Sequence, residues 1–470
     1  MTTSILAKSA LFDTLPPERQ TPVLAEIQQL TKAKIDVIIV LDDDPTGTQT
    51  VYDVPVLTNW EVESIIQEFI SGSPIFYILT NSRSLTEQEA SQLAVEIGQN
   101  IRKAAEQTQT RFWVISRSDS TLRGHYPIEV DALEKGLGWG QHTQFIIPAF
   151  FEGGRFTIND IHYVQQAEKL IPASHTPYAK DKVFGFKHSN LKDWIVEKTN
   201  GSVAIDNIET IDLTVLRTNT LSSLVENLNQ LKKEAVCIIN AATYSDLYFF
   251  AKAILKSDIK PIFRTAASFV RAIAGLAEKP LLDGTSIRRN NQNGGLVVVG
   301  SYVPTSSLQL KHLLTNRKEI IPIEIAVKKL LSTNNKAQLR EEIEQIINRA
   351  LQNGQTVVLF TSRELITAAT DEENQQIGKT ISQFLTQIVA NLHVFPAYLL
   401  TKGGITSSDI ATKSIGIKRA VVKGQIIKGV PVWELGKETK FPRSHQIIFP
   451  GNVGTESSLT EVVDKLTKRD

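Results

Sequence analysis

The run Val37-Ile38-Ile39-Val40 has no polar alternation, so as a strand it must be buried on both faces. That requirement commits the chain to a mostly parallel sheet with helices packed on either side. The run continues into Leu41-Asp42-Asp43-Asp44-Pro45-Thr46-Gly47-Thr48-Gln49-Thr50. Three carboxylates therefore fall at the C-terminal end of a buried strand, where open α/β sheets place their ligand crevice. Adjacent like charges resist ionisation unless cations or donors are near. Carboxylates under that stress serve as metal ligands, as acceptors for sugar hydroxyls or as a general base. Pro45 and Gly47 force a turn in which Thr46, Thr48 and Thr50 offer hydroxyls. A second reading also fits the spacing: a strand-ending turn whose Asp residues cap the next segment.

Strand-like runs recur at 75–80, 111–116 and 144–149, with helical patterns at about 62–70, 86–105 and 127–137. Further strands are expected at 202–205, 235–240 and 261–264. This alternation predicts an α/β sheet covered on both faces. The second strand runs into Thr80-Asn81-Ser82-Arg83-Ser84, and the third into Ser116-Arg117-Ser118-Asp119-Ser120-Thr121-Leu122-Arg123-Gly124-His125. Arg presents a planar fork suited to carboxylate or phosphate, and Ser, Thr and Asp can bond vicinal hydroxyls. A polyhydroxylated carboxylic acid needs that mixture. Ser120 or Thr121 could equally cap a helix, with Arg117 and Arg123 as surface charges. His125, His162 and His175 are spaced as no compact zinc pattern is, so no structural metal is expected.

The most polar, Gly-rich break is Arg288-Arg289-Asn290-Asn291-Gln292-Asn293-Gly294-Gly295, taken as the linker. Leu296-Val297-Val298-Val299 then restarts a buried strand that ends in Gly300-Ser301, ahead of a helical pattern. Gly and hydroxyl residues between a strand and a helix suit phosphate held on backbone N–H groups. The layout recurs most fully at Lys402-Gly403-Gly404-Ile405-Thr406. There two glycines admit an oligophosphate, Lys402 can neutralise charge, and Thr406 can cap the helix or assist Mg²⁺. A helix cap without ligand has the same local pattern. Neither a P-loop nor a Gly-x-Gly-x-x-Gly fingerprint is present.

A length of 470 residues allows two or three domains. With 51 basic and 50 acidic side chains the formal charge is +1, which gives no field for nucleic acid or a membrane surface. Cys237, the single cysteine, excludes an intrachain disulfide. No apolar run approaches the roughly 20 residues needed to span a bilayer, and the N-terminus lacks a targeting pattern. A cytoplasmic enzyme is the expectation. Val23, Leu24, Ile27 and Leu30 predict a short amphipathic helix in an N-terminal arm, residues 1–34. The arm packs on its own domain or on a partner subunit; the latter gives a homodimer.

Asp43-Asp44-Pro45-Thr46-Gly47 resembles the acidic strand-end motif of the four-carbon acid sugar kinases, and Asp42 to Val51 resembles one branch of that family. Asp119 to Gly124 match its Asp-Ser-Thr-Leu-Arg-Gly stretch, although Arg117 stands where Lys is common and His125 where Asn often follows. Gly403-Gly404-Ile405-Thr406 is similar to its Gly-Gly-x-Thr loop, with Ile405 in place of Glu. Gly451-Asn452-Val453-Gly454 is similar to its turn beside the nucleotide, with Phe449 where a Lys is common.

The resemblance implies two α/β domains, each a mostly parallel sheet flanked by helices, with the active site in the cleft between them. Residues 35–292 would bind the sugar acid and residues 293–470 the nucleotide. The implied reaction moves the γ-phosphoryl of ATP, with Mg²⁺, to a hydroxyl of a threonate, erythronate or oxo-tetronate. Asp43 or Asp44 would act as base or hydroxyl orienter. Arg83, Arg117, Asp119, Ser120 and Arg123 would hold the acid, and Ser301, Lys402, Gly403, Gly404, Ile405, Thr406 and Gly451 the nucleotide. A lyase or aldolase on a related hydroxy acid, and a non-catalytic metabolite sensor, are the alternatives.

Overall fold

The computed structural model describes residues 5–20, 23–140, 142–364, 366 and 370–468. The chain divides into two compact units, Met1–Glu278 and Lys279–Asp470. The first unit contains β1 (Leu6–Ala7), β2 (Val37–Asp42), β3 (Val54–Leu57), β4 (Ile75–Leu79), β5 (Phe112–Arg117), β6 (Thr143–Ile147), β7 (Arg155–Ile158), β8 (Ile161–Gln166), β9 (Lys169–Pro172), β10 (Ile208–Ile211), β11 (Val236–Ile239) and β12 (Pro261–Thr265). Eight of these strands run parallel in the order β10-β11-β6-β12-β5-β2-β4-β3.

Every residue of β2 is buried, as its unbroken apolar run requires. Its register pairs Asp42 with Leu79 on one side and with Arg117 on the other. The polar loops after β2, β4 and β5 therefore open at one level of the sheet. Helices Val62–Ser71, Glu87–Thr108 and Ile128–Leu137 contribute to the cover, with Ile65, Ile97, Ile101, Val130 and Leu133 in the core. Helix Glu87–Thr108 starts at a capping box in which Thr86 and Glu89 bond each other's backbone N–H groups.

A second, antiparallel sheet has the order β1-β9-β8-β7. Its β7–β8 hairpin turns at Asn159 and Asp160, both with positive φ, 52° and 62°, the backbone that a two-residue primed turn demands. Sequence periodicity did not reveal this sheet. The strand expected at 202–205 is also displaced: β10 is Ile208–Ile211, preceded by a 3-10 turn over Ile205–Asn207. Ile208 and Ile211 face the core while Ile205 is exposed, so burial favours the later register.

The N-terminal arm packs on the first unit. Leu6 pairs with Leu170, the Phe12 ring meets Phe156 edge-on at 5.4 Å, and Arg19 donates to Leu216 O. Helix Leu24–Lys34 follows, with the Thr31 hydroxyl donating to Ile27 O and reaching Ile273 O.

The second unit contains β13 (Leu296–Val299), β14 (Ile321–Ile325), β15 (Val357–Thr361), β16 (Leu399–Lys402), β17 (Arg419–Ile427), β18 (Val430–Leu435) and β19 (His445–Phe449). Within it the order is β17-β18-β19-β16-β13-β15-β14. The β17-β18-β19 meander is antiparallel, and the strands from β19 to β14 are parallel. The polar tract at 288–295 belongs to this unit: Arg289 N donates to Ala397 O and Gly294 N to Leu351 O. Among the described residues no helix is long and apolar enough to cross a membrane.

Candidate functional site

The acidic end of β2 is built around arginines. Asp42 is buried and accepts from Arg117 at 3.1 Å. Burial pushes its carboxyl up to about 7; Arg117 opposes this, and Asp43 and Asp44 add to it. Gly47 folds back over that carboxylate so closely that a Cβ there would lie 2.0 Å from Asp42 Oδ2. The glycine in the motif is thus a packing requirement.

Asp43 is 2% exposed, accepts from Ser118 Oγ at 2.6 Å and pairs with Arg83 at 3.2 Å. Asp44 is more open, pairs with Arg83 at 3.1 Å and caps the Pro45–Thr48 turn by accepting from Thr46 N at 2.8 Å. The two readings of the acidic turn are therefore compatible: Asp44 caps the turn and also joins the charged cluster.

Arg83 brings the loops together, since its guanidinium also reaches Asp119 at 3.5 Å. Burial works to lower the Arg83 pKa, yet Asp43, Asp44 and Asp119 together raise it. Asp119 also accepts from Arg123 Nε at 2.7 Å and from Thr121. Burial would raise the Asp119 carboxyl, but Arg123 and Arg83 hold it well below the usual carboxylate range. Leu122, inside this loop, sits at φ 69°, a conformation that costs a β-carbon residue roughly 1–3 kcal/mol and is often kept at ligand sites. Ser118, Asp119, Leu122, Arg123, Arg264 and Thr265 line one pocket.

Several expected substrate contacts have structural partners as well. Arg117 is buried between Asp42 and Asp43. The Ser120 carbonyl accepts from His162 at 2.7 Å, and His125 Nε2 lies 3.1 Å from Ser82 O and Leu85 O, as an orienting histidine would. Glu129 and Arg264 were not singled out from sequence. They pair at 3.3 Å beneath the cluster, with Ser82 donating to Glu129 at 2.5 Å. Arg264 stands at the end of β12, register partner of Ser116, and that strand-end position was its available signal.

In the second unit three loops converge on Ser301. Ser301 N donates to Lys402 O, Arg363 donates to Ser301 O at 2.6 Å, and Ser306 Oγ bridges Ser301 Oγ and Gly451 O. A Cβ on Gly451 would lie 2.8 Å from Ser301 Oγ, and one on Gly403 3.0 Å from Ser301 Cβ, with Gly403 also at φ 115°. At Gly403 the positive φ calls for glycine, while at Gly451 a Cβ would have to push the Ser301 hydroxyl aside. The first helical bond of the next segment is Ser407 N to Gly403 O, so the N–H groups of Gly404, Ile405 and Thr406 precede it. Such a glycine-lined turn fits nucleotide phosphates. The Ile405 side chain is exposed there.

Lys402 is placed differently from its expected task. Its side chain is fully buried, its ammonium donates to Pro450 O at 3.0 Å and it lies 3.8 Å from the Phe449 ring centre. Burial pulls its pKa down to about 7. Lys402 thus ties the end of β16 to the end of β19. Phe449, in the position where Lys is common among resembling proteins, supplies the ring that covers it.

A family described as a sugar-binding N-terminal domain matches residues 38–273, and one described as a nucleotide-binding C-terminal domain matches residues 296–459. Haemophilus influenzae protein HI1011, a DUF1537 structure, superposes with a TM-score of 0.61 at 17% identity, over 92% of this chain and 100% of that one. A Salmonella typhimurium LT2 protein provisionally named a tRNA synthase gives a TM-score of 0.66 at 17% identity, over 91% and 98%. At such identity the likeness speaks for the fold alone. No curated protein matches. The paired domain matches span the two units built around the acidic strand end and the glycine-lined turn, and the chain belongs to the four-carbon acid sugar kinase family.

Proposed function

We propose that this protein is an ATP-dependent kinase that phosphorylates a hydroxyl of a four-carbon sugar acid of the threonate, erythronate or oxo-tetronate type. The observation that carries the reading is the Asp43-Asp44-Arg83-Asp119-Arg123 cluster in the unit whose family is sugar-binding, in a chain that also holds a glycine-lined turn in a nucleotide-binding domain. Phosphoryl transfer depends mainly on positioning and charge neutralisation. The acceptor oxygen forms a bond to the γ-phosphorus, the bond from that phosphorus to the β,γ-bridging oxygen breaks, and ADP leaves. The acceptor's proton passes to a carboxylate.

Asp44 is the assigned proton acceptor, because of the two candidates it is the more open, while Arg83 fixes its direction. Asp43, held by Ser118 and Arg83, orients the hydroxyl. Backbone N–H groups of Gly404 to Thr406 and the Ser301 loop receive the phosphates. Mg²⁺ brought with the nucleotide would neutralise the phosphate oxygens. ADP release with Mg-ATP and a panel of tetronic acids and their oxo forms tests the reading. Turnover on at least one acid is expected, and loss of it in Asp44→Asn; a silent panel with ATP still bound rejects this acceptor class.

A further inference from the structure

The proposed substrate carries a carboxylate, which needs a cation not already neutralised by the protein. Four arginines of the cluster fail that requirement. Arg83 is paired with Asp43, Asp44 and Asp119, Arg117 with Asp42 and Asp43, Arg123 with Asp119 and Asp181, and Arg264 with Glu129. Arg155 differs from all of them. No carboxylate lies within ion-pairing distance of it among the described residues; its Nε, like those of Arg83 and Arg117, is buried without a hydrogen-bond partner. Its Nη1 donates to the Gly153 carbonyl. Its side chain keeps partial exposure, so the fork has not been closed off.

The position of Arg155 relative to the cluster follows from its neighbours. It opens β7, in which Thr157 bonds His162, and His162 in turn bonds the Ser120 carbonyl. Tyr178 stands between the two cations: its hydroxyl lies beside the Arg155 guanidinium, and Arg123 lies 5.2 Å from its ring centre. Asp119 and Arg123 are near enough to act on Arg155 electrostatically, but burial dominates and lowers its pKa. A mostly buried guanidinium without a counter-ion is costly unless a ligand supplies one. The part of the guanidinium that keeps exposure can donate to a carboxylate oxygen, and the charge then gains the counter-ion it lacks.

We infer that Arg155, supported by the Tyr178 hydroxyl, is the anchor for the carboxylate of the acceptor, and that it makes the site selective for aldonic acids over neutral polyols. This rests on the sugar-acid reading above. It leaves Asp119, Ser120 and Arg123 to the hydroxyl-bearing carbons, and it explains why the small antiparallel sheet carries an arginine on the sugar-binding side of the fold.

The test measures binding of threonate and erythronate, and of the neutral threitol and erythritol, by calorimetry without ATP, alongside ADP release. Wild type is expected to bind one of the acids well above its polyol. Arg155→Gln should weaken acid binding roughly 100-fold, the scale of a lost hydrogen bond to a charged group. Polyol binding and the KM for ATP should stay unchanged. Tyr178→Phe, which removes only the hydroxyl, should weaken acid binding by a smaller factor and keeps the test decisive if Arg155→Gln folds poorly. Acid binding of wild-type strength in both variants overturns the anchor while leaving the kinase reading intact. Acid binding that depends on Arg155, with no ADP released on any acid, upholds the anchor and rejects the kinase. A wild type that prefers the polyols overturns both.

Discussion

Asp43 and Asp44 adjoin in sequence but differ in what removing their charge should do. Asp43 is buried among Arg83, Arg117 and Ser118, so Asp43→Asn leaves buried cations short of a partner and should cost about 3–5 kcal/mol of stability as well as activity. Asp44 is more open, and Asp44→Asn should cost about 1 kcal/mol or less while kcat falls roughly 100- to 10,000-fold. Thermal unfolding together with steady-state kinetics separates the two. Lys402 adds a pH signature. Its folded pKa of about 7 lies below the ordinary 10.5, so between those values the unfolded chain binds more protons than the native one. Its unfavourable contribution is complete below pH 7 and is relieved as pH rises towards 10.5, with a limiting slope of about 1.4 kcal/mol per pH unit. Wild-type stability should gain on Lys402→Met as pH increases from 7 to 10, measured by denaturant unfolding; a constant difference would show that the ammonium does not titrate there.

At the scale of elements, the glycine-lined turn proposed to hold phosphate depends on glycines where strands β13, β16 and β19 end. Gly403→Ala meets both a φ of 115° and the Ser301 side chain, so it should weaken ATP binding at least about tenfold and leave sugar-acid binding unchanged, as titration of each ligand alone would report. The same elements show what the sequence made legible. Apolar runs such as those that begin Val37–Asp42 and fill Leu296–Val299 identify central parallel strands because burial on both faces leaves one pattern. Edge strands do not carry that pattern. β10 has two half-covered or exposed positions between Ile208 and Ile211, and the apolar stretch before it was the more strand-like in sequence. The β7–β9 sheet was missed because its pairing is set by a hairpin turn at Asn159-Asp160, whose chemistry periodicity does not register. Arg155, at the start of that sheet, was given no role from sequence. Its significance is a counter-ion that is lacking, which only the surrounding ion pairs reveal.

For the whole molecule, the division between units falls ahead of the polar tract read as the linker. Residues from 279 onward are tied to the second unit: Leu282 N donates to Gln425 O, Arg288 to Leu466 O and Arg289 N to Ala397 O. Gly284 packs against the Lys465 backbone, where a Cβ would lie 2.0 Å from its oxygen. A fragment of residues 279–470 should therefore fold and bind ATP, whereas one beginning at 293 should unfold several degrees lower, a difference that calorimetry reads directly. Polarity alone marked the tract as a break because hydrogen bonds to distant carbonyls cannot be seen in composition. Group transfer from nucleotide to sugar acid is followed with ATP labelled at the γ-phosphoryl, the products being separated after incubation with the tetronic acids. Label is expected on one acid as its phosphate ester, absent in Asp44→Asn. Label found only in inorganic phosphate, or left entirely in ATP with both ligands bound, would contradict the account.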